Sequence, residues 1–374
     1  MRILIAADSF KDALSAPRVC RAIATGIRQA HPDAQVTEFP LSDGGEGAFE
    51  VLAYHLNLKT VEAAAVDPLF RHIQAPYGLS ADGRTAFVEM AKTSGLQLLR
   101  PEERNPLYTT TLGAGMLLAD AQRRGATRIV LAIGGSATND GGIGMAVALG
   151  WRFLDTQGRE ISPVGGQLQH IARIVPPDTP GTLTSVEVIC DVTNPLYGPV
   201  GAARVYGPQK GADEAAVAIL DAGLQHLAQL VEQQWNRPGL AQIPGAGAAG
   251  GLGFGAVAFL RATLRRGIDL VLDLTHFDDA LMQADLVITG EGQLDGQTLH
   301  GKLIHGICRR AARFGVPVIA LCGRLTATPE QVQAIGLQQA ISINKVELPL
   351  PEMLARTEEN LERVGRELVD WLIG

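Results

Sequence analysis

Five times along this chain an apolar run ends and acids, amides or glycines follow at once. The cases are Asp8, Asp43-Gly44-Gly45-Glu46, Asn139-Asp140-Gly141-Gly142, Asp191, and Glu291 between Gly290 and Gly292. Open α/β sheets bind ligands outside the carboxyl ends of their strands, where such residues would stand. Turns and helix caps also favour Asp, Asn and Gly, so each case alone is equally a plain turn. Their recurrence is what points to chemistry. The densest segment is Gly134-Gly135-Ser136-Ala137-Thr138-Asn139-Asp140-Gly141-Gly142. Glycines there expose backbone N–H groups to an anion, and Ser136 and Thr138 add hydroxyl donors. A carboxylate such as Asp140 does not help phosphate alone, but it suits Mg²⁺ bridging to phosphate oxygens.

The cations fall in similar places. Lys11 follows Asp8, and Lys210 lies in Tyr206-Gly207-Pro208-Gln209-Lys210-Gly211, a rigid turn before a helix. Both suit an acidic substrate or phosphate, or simply solvated surface. Arg104-Asn105-Pro106 with Thr109, Thr110 and Thr111 offers a guanidinium fork and hydroxyls for a carboxylate, or a capped helix start. Gly296 to Lys302 has the G-x-x-x-x-G-K form, but Leu303 replaces the magnesium-binding hydroxyl and no apolar strand precedes it, so the P-loop match is accidental. Lys302 is kept as a phosphate contact. His300, His305 and Cys308 match no usual metal spacing, and there is no G-x-S-x-G elbow of an α/β hydrolase.

These residues must be held by strands and helices. Arg2–Ala7 reads as a strand buried on both faces, as in a parallel sheet. Pro17–Ala30 reads as a helix with Pro17 in its first turn, Gln35–Leu41 as a strand and Glu46–Leu56 as a helix. Short strands at Lys59–Val66, Arg71–Tyr77 and Thr85–Met90 then follow one another through turns, which marks a mixed region. Strands at Arg128–Ile133 and Ser185–Cys190 and a long helix at Ala212–Gln234 lie beyond. Pro238–Gly255 is glycine-rich with apolar residues between, which suggests close backbone packing or backbone near a ligand; Ala256–Arg265 reads as its helical continuation. Strand–helix alternation returns from Asp285–Thr289 to the terminal helix Thr357–Leu372. The expected fold is therefore α/β with two domains. Residues 1–64 and 285–374 form an open, mostly parallel Rossmann-like sheet domain. Residues 65–284 form an inserted mixed-sheet α/β domain with glycine-rich loops.

Composition agrees. The 374 residues include 43 glycines and carry a net charge of −7, which argues against broad nucleic-acid binding. Four irregularly spaced cysteines form no C-x-x-C or disulfide framework. The apolar start is too short for a signal peptide and no run is long enough to span a membrane, so a cytoplasmic monomer or homodimer is expected.

Taken in order, the segments resemble the bacterial glycerate kinase family, of the type found in glyoxylate and glucarate or galactarate breakdown. The resemblance runs nearly end to end. It rests on Asp8-Ser9-Phe10-Lys11, Ser42-Asp43-Gly44-Gly45-Glu46-Gly47, Ile133 through Gly142, Asp191-Val192-Thr193-Asn194-Pro195-Leu196, Gly207-Pro208-Gln209-Lys210-Gly211, Pro244 through Gly253, and Thr289-Gly290-Glu291-Gly292. Small departures are Ala48 for threonine, Gln293 for an expected arginine, and Leu303-Ile304 where a proline is usual. The resemblance implies ATP, Mg²⁺, D-glycerate and a two-domain cleft, with 2-phosphoglycerate as product and 3-phosphoglycerate as the alternative. Direct in-line phosphoryl transfer then needs a carboxylate to accept the hydroxyl proton. Asp191 is the first choice, with Asp43 and Asp8 as rivals and Lys11 beside them. Gly134, Gly135, Ser136, Thr138, Asn139, Lys210 and Lys302 are assigned to the nucleotide. Ser9, Arg104, Asn105 and Glu291 are assigned to the substrate, and Asp140 and Asp295, with Glu291, to magnesium. A nicotinamide-dependent dehydrogenase of small hydroxy acids is the competing enzyme class, but the first βα unit lacks its pyrophosphate fingerprint. A sugar-acid sensor would need a leader or a DNA-binding module, and neither is visible.

Overall fold

The computed structural model describes the chain except Glu46, Pro180, residues 295–301, Glu347 and Gly374, and the side chains of Lys302 and residues 369–373. It divides into two compact units, residues 1–55 with 267–374, and residues 56–266. Along the chain the strands are β1 (Arg2–Ala7), β2 (Gln35–Glu38), β3 (Lys59–Val66), β4 (His72–Leu79), β5 (Thr85–Glu89), β6 (Arg128–Ala132), β7 (Arg152–Leu154), β8 (Arg173–Val175), β9 (Ser185–Ile189), β10 (Thr263–Arg265), β11 (Leu286–Leu294), β12 (Val318–Leu325) and β13 (Gln339–Ser342).

In the first unit five parallel strands stand in the order β13-β12-β11-β1-β2. The sheet is covered on both faces because alternate residues of each strand point to opposite sides. Ile3, Ile5 and Ala7 of β1 pack with helices Ala16–Ala30 and Thr357–Ile373. Leu4 and Ala6 pack with helices Gly267–Leu274, Phe277–Leu281 and Lys302–Phe314. That double burial explains why β1 reads as an unbroken apolar run. The direction of winding reverses between β1 and β11, so a topological switch point lies beside Asp8 and Glu291.

The second unit has a six-stranded sheet, β10-β9-β6-β5-β4-β3. Its β3-β4-β5 edge is antiparallel and the remaining pairs are parallel. A small antiparallel β7-β8 pair forms its own two-stranded sheet. Helices Leu112–Arg123 and Ala248–Leu260 cover the sheet through Leu117, Leu118, Leu252 and Ala256. Helix Glu214–Trp235 packs a further core with Phe153, Ile174 and Phe254.

Three expectations need correction. A boundary at 64/65 would cut β3, which pairs with β4 along its whole length from Lys59↔Leu79 to Val66↔His72. A boundary at 284/285 would give helices 267–274 and 277–281 to the wrong unit, although Ile268, Leu272, Phe277 and Leu281 share a core with Leu4 and Ile304. Finally, the helix expected over Ala256–Arg265 starts earlier and ends at Leu260, where Arg261 turns left-handed (φ 55°) and the chain enters β10.

Candidate active site

Past the carboxyl end of β1 the backbone turns tightly through Phe10 and Leu14, which bridge to each other. The turn and the ends of β11 and β12 border a cavity of about 1350 Å³ that lies wholly within the first unit. Asp8, Ser9, Lys11, Asp43 and Glu291 all line it, so the structure brings together five of the residues singled out in the sequence. It exceeds the roughly 300–1,000 Å³ of a typical small-molecule pocket, so a nucleotide fits in volume.

Asp8 is the electrostatic centre of this wall. Its Oδ1 accepts the Ser9 N–H at 2.6 Å and the Ser9 hydroxyl at 3.3 Å. Burial nevertheless lifts its carboxyl from 3.8 to about 7, against those hydrogen bonds and with a smaller push from the charge of Asp43. Asp43 is itself held by the Gly45 N–H, which donates to its Oδ1 at 2.8 Å. Lys11 is exposed and forms no ion pair among the described residues. Lys302 opens helix Lys302–Phe314 of the same unit. Its side chain, Asp295 and the G-x-x-x-x-G part of that motif lie outside the described residues.

The other predicted residues belong to the second unit. The Gly134–Gly142 loop follows β6, and a buried lysine stitches it from within. Lys210, 2% exposed, donates to Ser136 Oγ at 2.6 Å and to the Thr138 carbonyl at 2.7 Å. Burial lowers this ammonium from 10.5 to about 7, while the charge of Asp140 raises it. Thr138 Oγ1, both polar atoms of the Asn139 amide and Arg104 Nε are buried with no hydrogen-bond partner among the described residues. Gly134 and Gly135 stay open, since a Cβ on Gly134 would meet nothing and one on Gly135 only Ala91. Asn105 Oδ1 is partly committed to a local turn by accepting the Leu107 N–H at 3.1 Å, which leaves one lone pair and the amide nitrogen for a substrate. Asp191 follows β9 in this unit, whereas Asp8 and Asp43 belong to the first.

Asp140 is the clear correction. Its carboxylate is fully buried and accepts four hydrogen bonds: Thr111 N–H and Thr111 hydroxyl at 2.8 Å each, Gly142 N–H at 3.1 Å and Gly144 N–H at 3.2 Å. Burial pushes its carboxyl up and these donors pull it back down. Four donors exhaust the lone pairs of a carboxylate. Asp140 therefore ties the loop to the start of helix Leu112–Arg123 and has no face for magnesium. Thr111, which the sequence offers either as a substrate hydroxyl or as part of a capped helix start, stands at the start of helix Leu112–Arg123 and is the main partner of Asp140. Thr109 is similarly used, donating to the Ala137 carbonyl at 2.9 Å.

The glycine-rich stretch serves the same loop. Helix Ala248–Leu260 contains a left-handed break at Ala249, Gly250 and Gly251, and the Gly141 N–H donates to the Gly250 carbonyl at 3.0 Å. A Cβ on Gly250 (φ +66°) would lie 2.0 Å from the Thr138 oxygen. The expected close backbone packing is thus what this segment does.

Sequence reasoning missed another part of the cavity wall, where Arg324 near the end of β12, Thr326 just past it, Ser342 at the end of β13 and Asn344 beyond it stand. The same strand-end rule that found Asp8 applies to Gly323-Arg324, but no acid marks the place. Among the described residues no cluster of three or more His, Cys, Asp or Glu side chains could hold a metal by itself. Magnesium needs no such cage, because it binds through one or two carboxylates plus substrate phosphates and water. The hard oxygen of Glu291 on the cavity wall fits that requirement.

Comparison with known proteins gives a consistent result. The model of the glycerate kinase family matches residues 3–373. The glycerate 2-kinase of Escherichia coli (strain K12) is 41% identical over 370 residues, covering 98% of this chain and 97% of that protein. A glycerate kinase of Bacillus subtilis (strain 168) is 43% identical over 370 residues, with the same coverage of both chains. A crystal structure from Salmonella typhimurium LT2, described as a candidate glycerate kinase 2, superposes with a TM-score of 0.90 at 41% identity and covers 100% of this chain and 98% of that one. Among the described residues no helix is long and apolar enough to cross a membrane.

Proposed function

Because this chain belongs to the glycerate kinase family, we propose that it transfers the γ-phosphoryl group of ATP to the 2-hydroxyl of D-glycerate, giving 2-phosphoglycerate. The observation that carries the chemistry is Asp8: a carboxylate at the strand switch point, lining a large cavity and raised to about 7. A general base works best when its pKa lies near the working pH. Asp8 therefore replaces Asp191 as first choice for accepting the hydroxyl proton as the new P–O bond forms. Ser9 fixes the orientation of the acceptor oxygen, and Asp43 adds negative charge that strengthens its basicity.

Lys11, exposed at the cavity rim, neutralises an anionic group of the bound substrates. Magnesium, when bound through Glu291, supplies charge neutralisation at the phosphate oxygens. No covalent phosphoenzyme is needed, because positioning and charge compensation suffice for phosphoryl transfer. In the second unit, Gly134 and Gly135 offer backbone N–H groups, and Thr138, Asn139 and Arg104 offer buried polar groups without partners. They are assigned to oxygens of ATP or glycerate. Four free thiols, three of them buried, suit the reducing cytoplasm where ATP is made.

The test is phosphorus NMR of the product formed from ATP, Mg²⁺ and D-glycerate. A 2-phosphoglycerate signal that fails to form when EDTA is present from the start is the expected result. A 3-phosphoglycerate signal would move the attacked oxygen to the terminal hydroxyl. No phosphorylated product would refute the reading.

A further inference from the structure

Beyond Glu291, strand β11 runs on beside β12, and their last paired residues are Gln293↔Arg324 and Leu294↔Leu325. Side chains alternate along a strand, and register partners on neighbouring strands, about 4.8 Å apart, share a face. Leu294 is buried in the core, with Leu325 packed against the same cluster. Gln293 and Arg324 therefore project together from the opposite face, and both line the cavity. The described wall otherwise carries acids (Asp8, Asp12, Asp43, Glu50 and Glu291) and one further cation, Lys11. Arg324 is exposed, and its guanidinium forms no hydrogen bond or ion pair among the described residues. A wall so rich in carboxylates repels anionic ligands unless cations offset it.

We infer that Arg324 is a substrate-binding residue, whose guanidinium holds an oxyanion of the bound reactants from β12, beside the uncharged Gln293 on β11. The ligand chemistry is a carboxylate or a phosphate, both of which a planar guanidinium binds with two parallel hydrogen bonds. Because the two positions are register partners, a cation at either one serves the same region of the cavity. This inference rests on the phosphotransferase reading above.

The experiment compares wild type, Arg324→Gln, Gln293→Arg and the double variant Gln293→Arg/Arg324→Gln. Steady-state kinetics and calorimetric titration with D-glycerate and with ATP are run on each. Arg324→Gln is expected to raise KM and the dissociation constant for one of the two ligands about tenfold or more, with kcat within threefold. A change for D-glycerate identifies the carboxylate as the bound group, and a change for ATP identifies a phosphate. The double variant is expected to recover most of the lost affinity, which a merely structural role for Arg324 would not produce. Unchanged affinity for both ligands in Arg324→Gln, or no recovery in the double variant, overturns the inference. Titration needs no turnover, so wild-type protein that forms no product refutes the phosphotransferase reading while the binding data still decide the role of Arg324.

Discussion

Asp8→Asn separates what the carboxylate does for catalysis from what it costs the fold. The amide is nearly isosteric, and its oxygen still accepts the Ser9 N–H that Asp8 Oδ1 accepts at 2.6 Å. The variant therefore removes mainly the ionisation. A carboxyl raised from 3.8 to about 7 holds its proton more tightly in the folded state. Below pH 3.8 both states are protonated and the group costs nothing. As pH rises toward 7 the unfolded chain ionises first, and stability falls by about 1.4 kcal/mol per pH unit. The full cost, about 4 kcal/mol, is reached above pH 7. Asp8→Asn is therefore expected to gain about 1–2 kcal/mol over wild type at pH 5 and about 3–4 kcal/mol at pH 8.5. Turnover falls by about 10²–10⁴, the usual contribution of a general base. Urea unfolding followed by circular dichroism at the two pH values measures the first effect, and kcat measures the second. Equal stability of the two proteins at both pH values, or a stability loss at pH 8.5, would refute the buried-charge argument. Near-normal turnover would refute the base assignment.

Other substitutions probe the second unit. Asp140→Ala strands four donors in a fully buried place and is expected to cost about 3–5 kcal/mol in urea unfolding; a loss below 1 kcal/mol would show that the loop repacks without it. Gly250→Ala combines a left-handed backbone with an overlap on the Thr138 oxygen. It should destabilise by 2 kcal/mol or more, roughly, and abolish ATP-induced amide shifts at Gly134 and Gly135 in NMR spectra. Lys210 gives a pH slope of the opposite sign to that of Asp8. Its ammonium, lowered from 10.5 to about 7, stays protonated in the unfolded chain through this interval while the folded state releases its proton, so stability rises with pH. Between pH 7 and 9 the contribution is about 1–3 kcal/mol, and Lys210→Met should flatten it; an unchanged slope in the variant would place the titration elsewhere.

How much of this was legible in the sequence depended on what each residue type reveals by itself. β1 and the acid that ends it were readable, because burial on both faces leaves an unbroken apolar run and Asp8 breaks it abruptly. By sequence alone β11 ends at Thr289, since Gly290-Glu291-Gly292 looks like a loop. In the fold, pairing with β12 carries it on to Leu294. Pairing between strands is a tertiary fact, and it overrides the local glycine signal. The same limit explains Asp140 and Asp8. Both follow strands, Asp8 at once and Asp140 in a glycine-rich loop, yet Asp140 is surrounded by donors from Thr111 and a helix start, and Asp8 faces a cavity. Composition cannot distinguish a carboxylate that is fully occupied from one that is open. Lys210 reads in the sequence as a phosphate contact or as solvated surface, and in the fold it is buried and bonded to Ser136 and Thr138. Arg324 carries only the weak signal of a strand end, because its pairing with Gln293 on the adjacent strand is a tertiary fact.

The parallel pairing of β1 with β11 also has a consequence for synthesis. Arg2 meets Asp285 at a sequence separation of 283. At translation rates of about 5–20 residues per second, β1 leaves the ribosome roughly a quarter of a minute to a minute before the strand it pairs with exists. During that wait residues 56–266 emerge as a continuous segment, able to complete their own sheet. The apolar run Ile3-Leu4-Ile5-Ala6-Ala7 has only β2 as a partner and exposes an unpaired strand edge. Nascent chains stalled before residue 286 should thus carry an exposed aggregation-prone N-terminus, and holdase chaperones would be expected to bind there first.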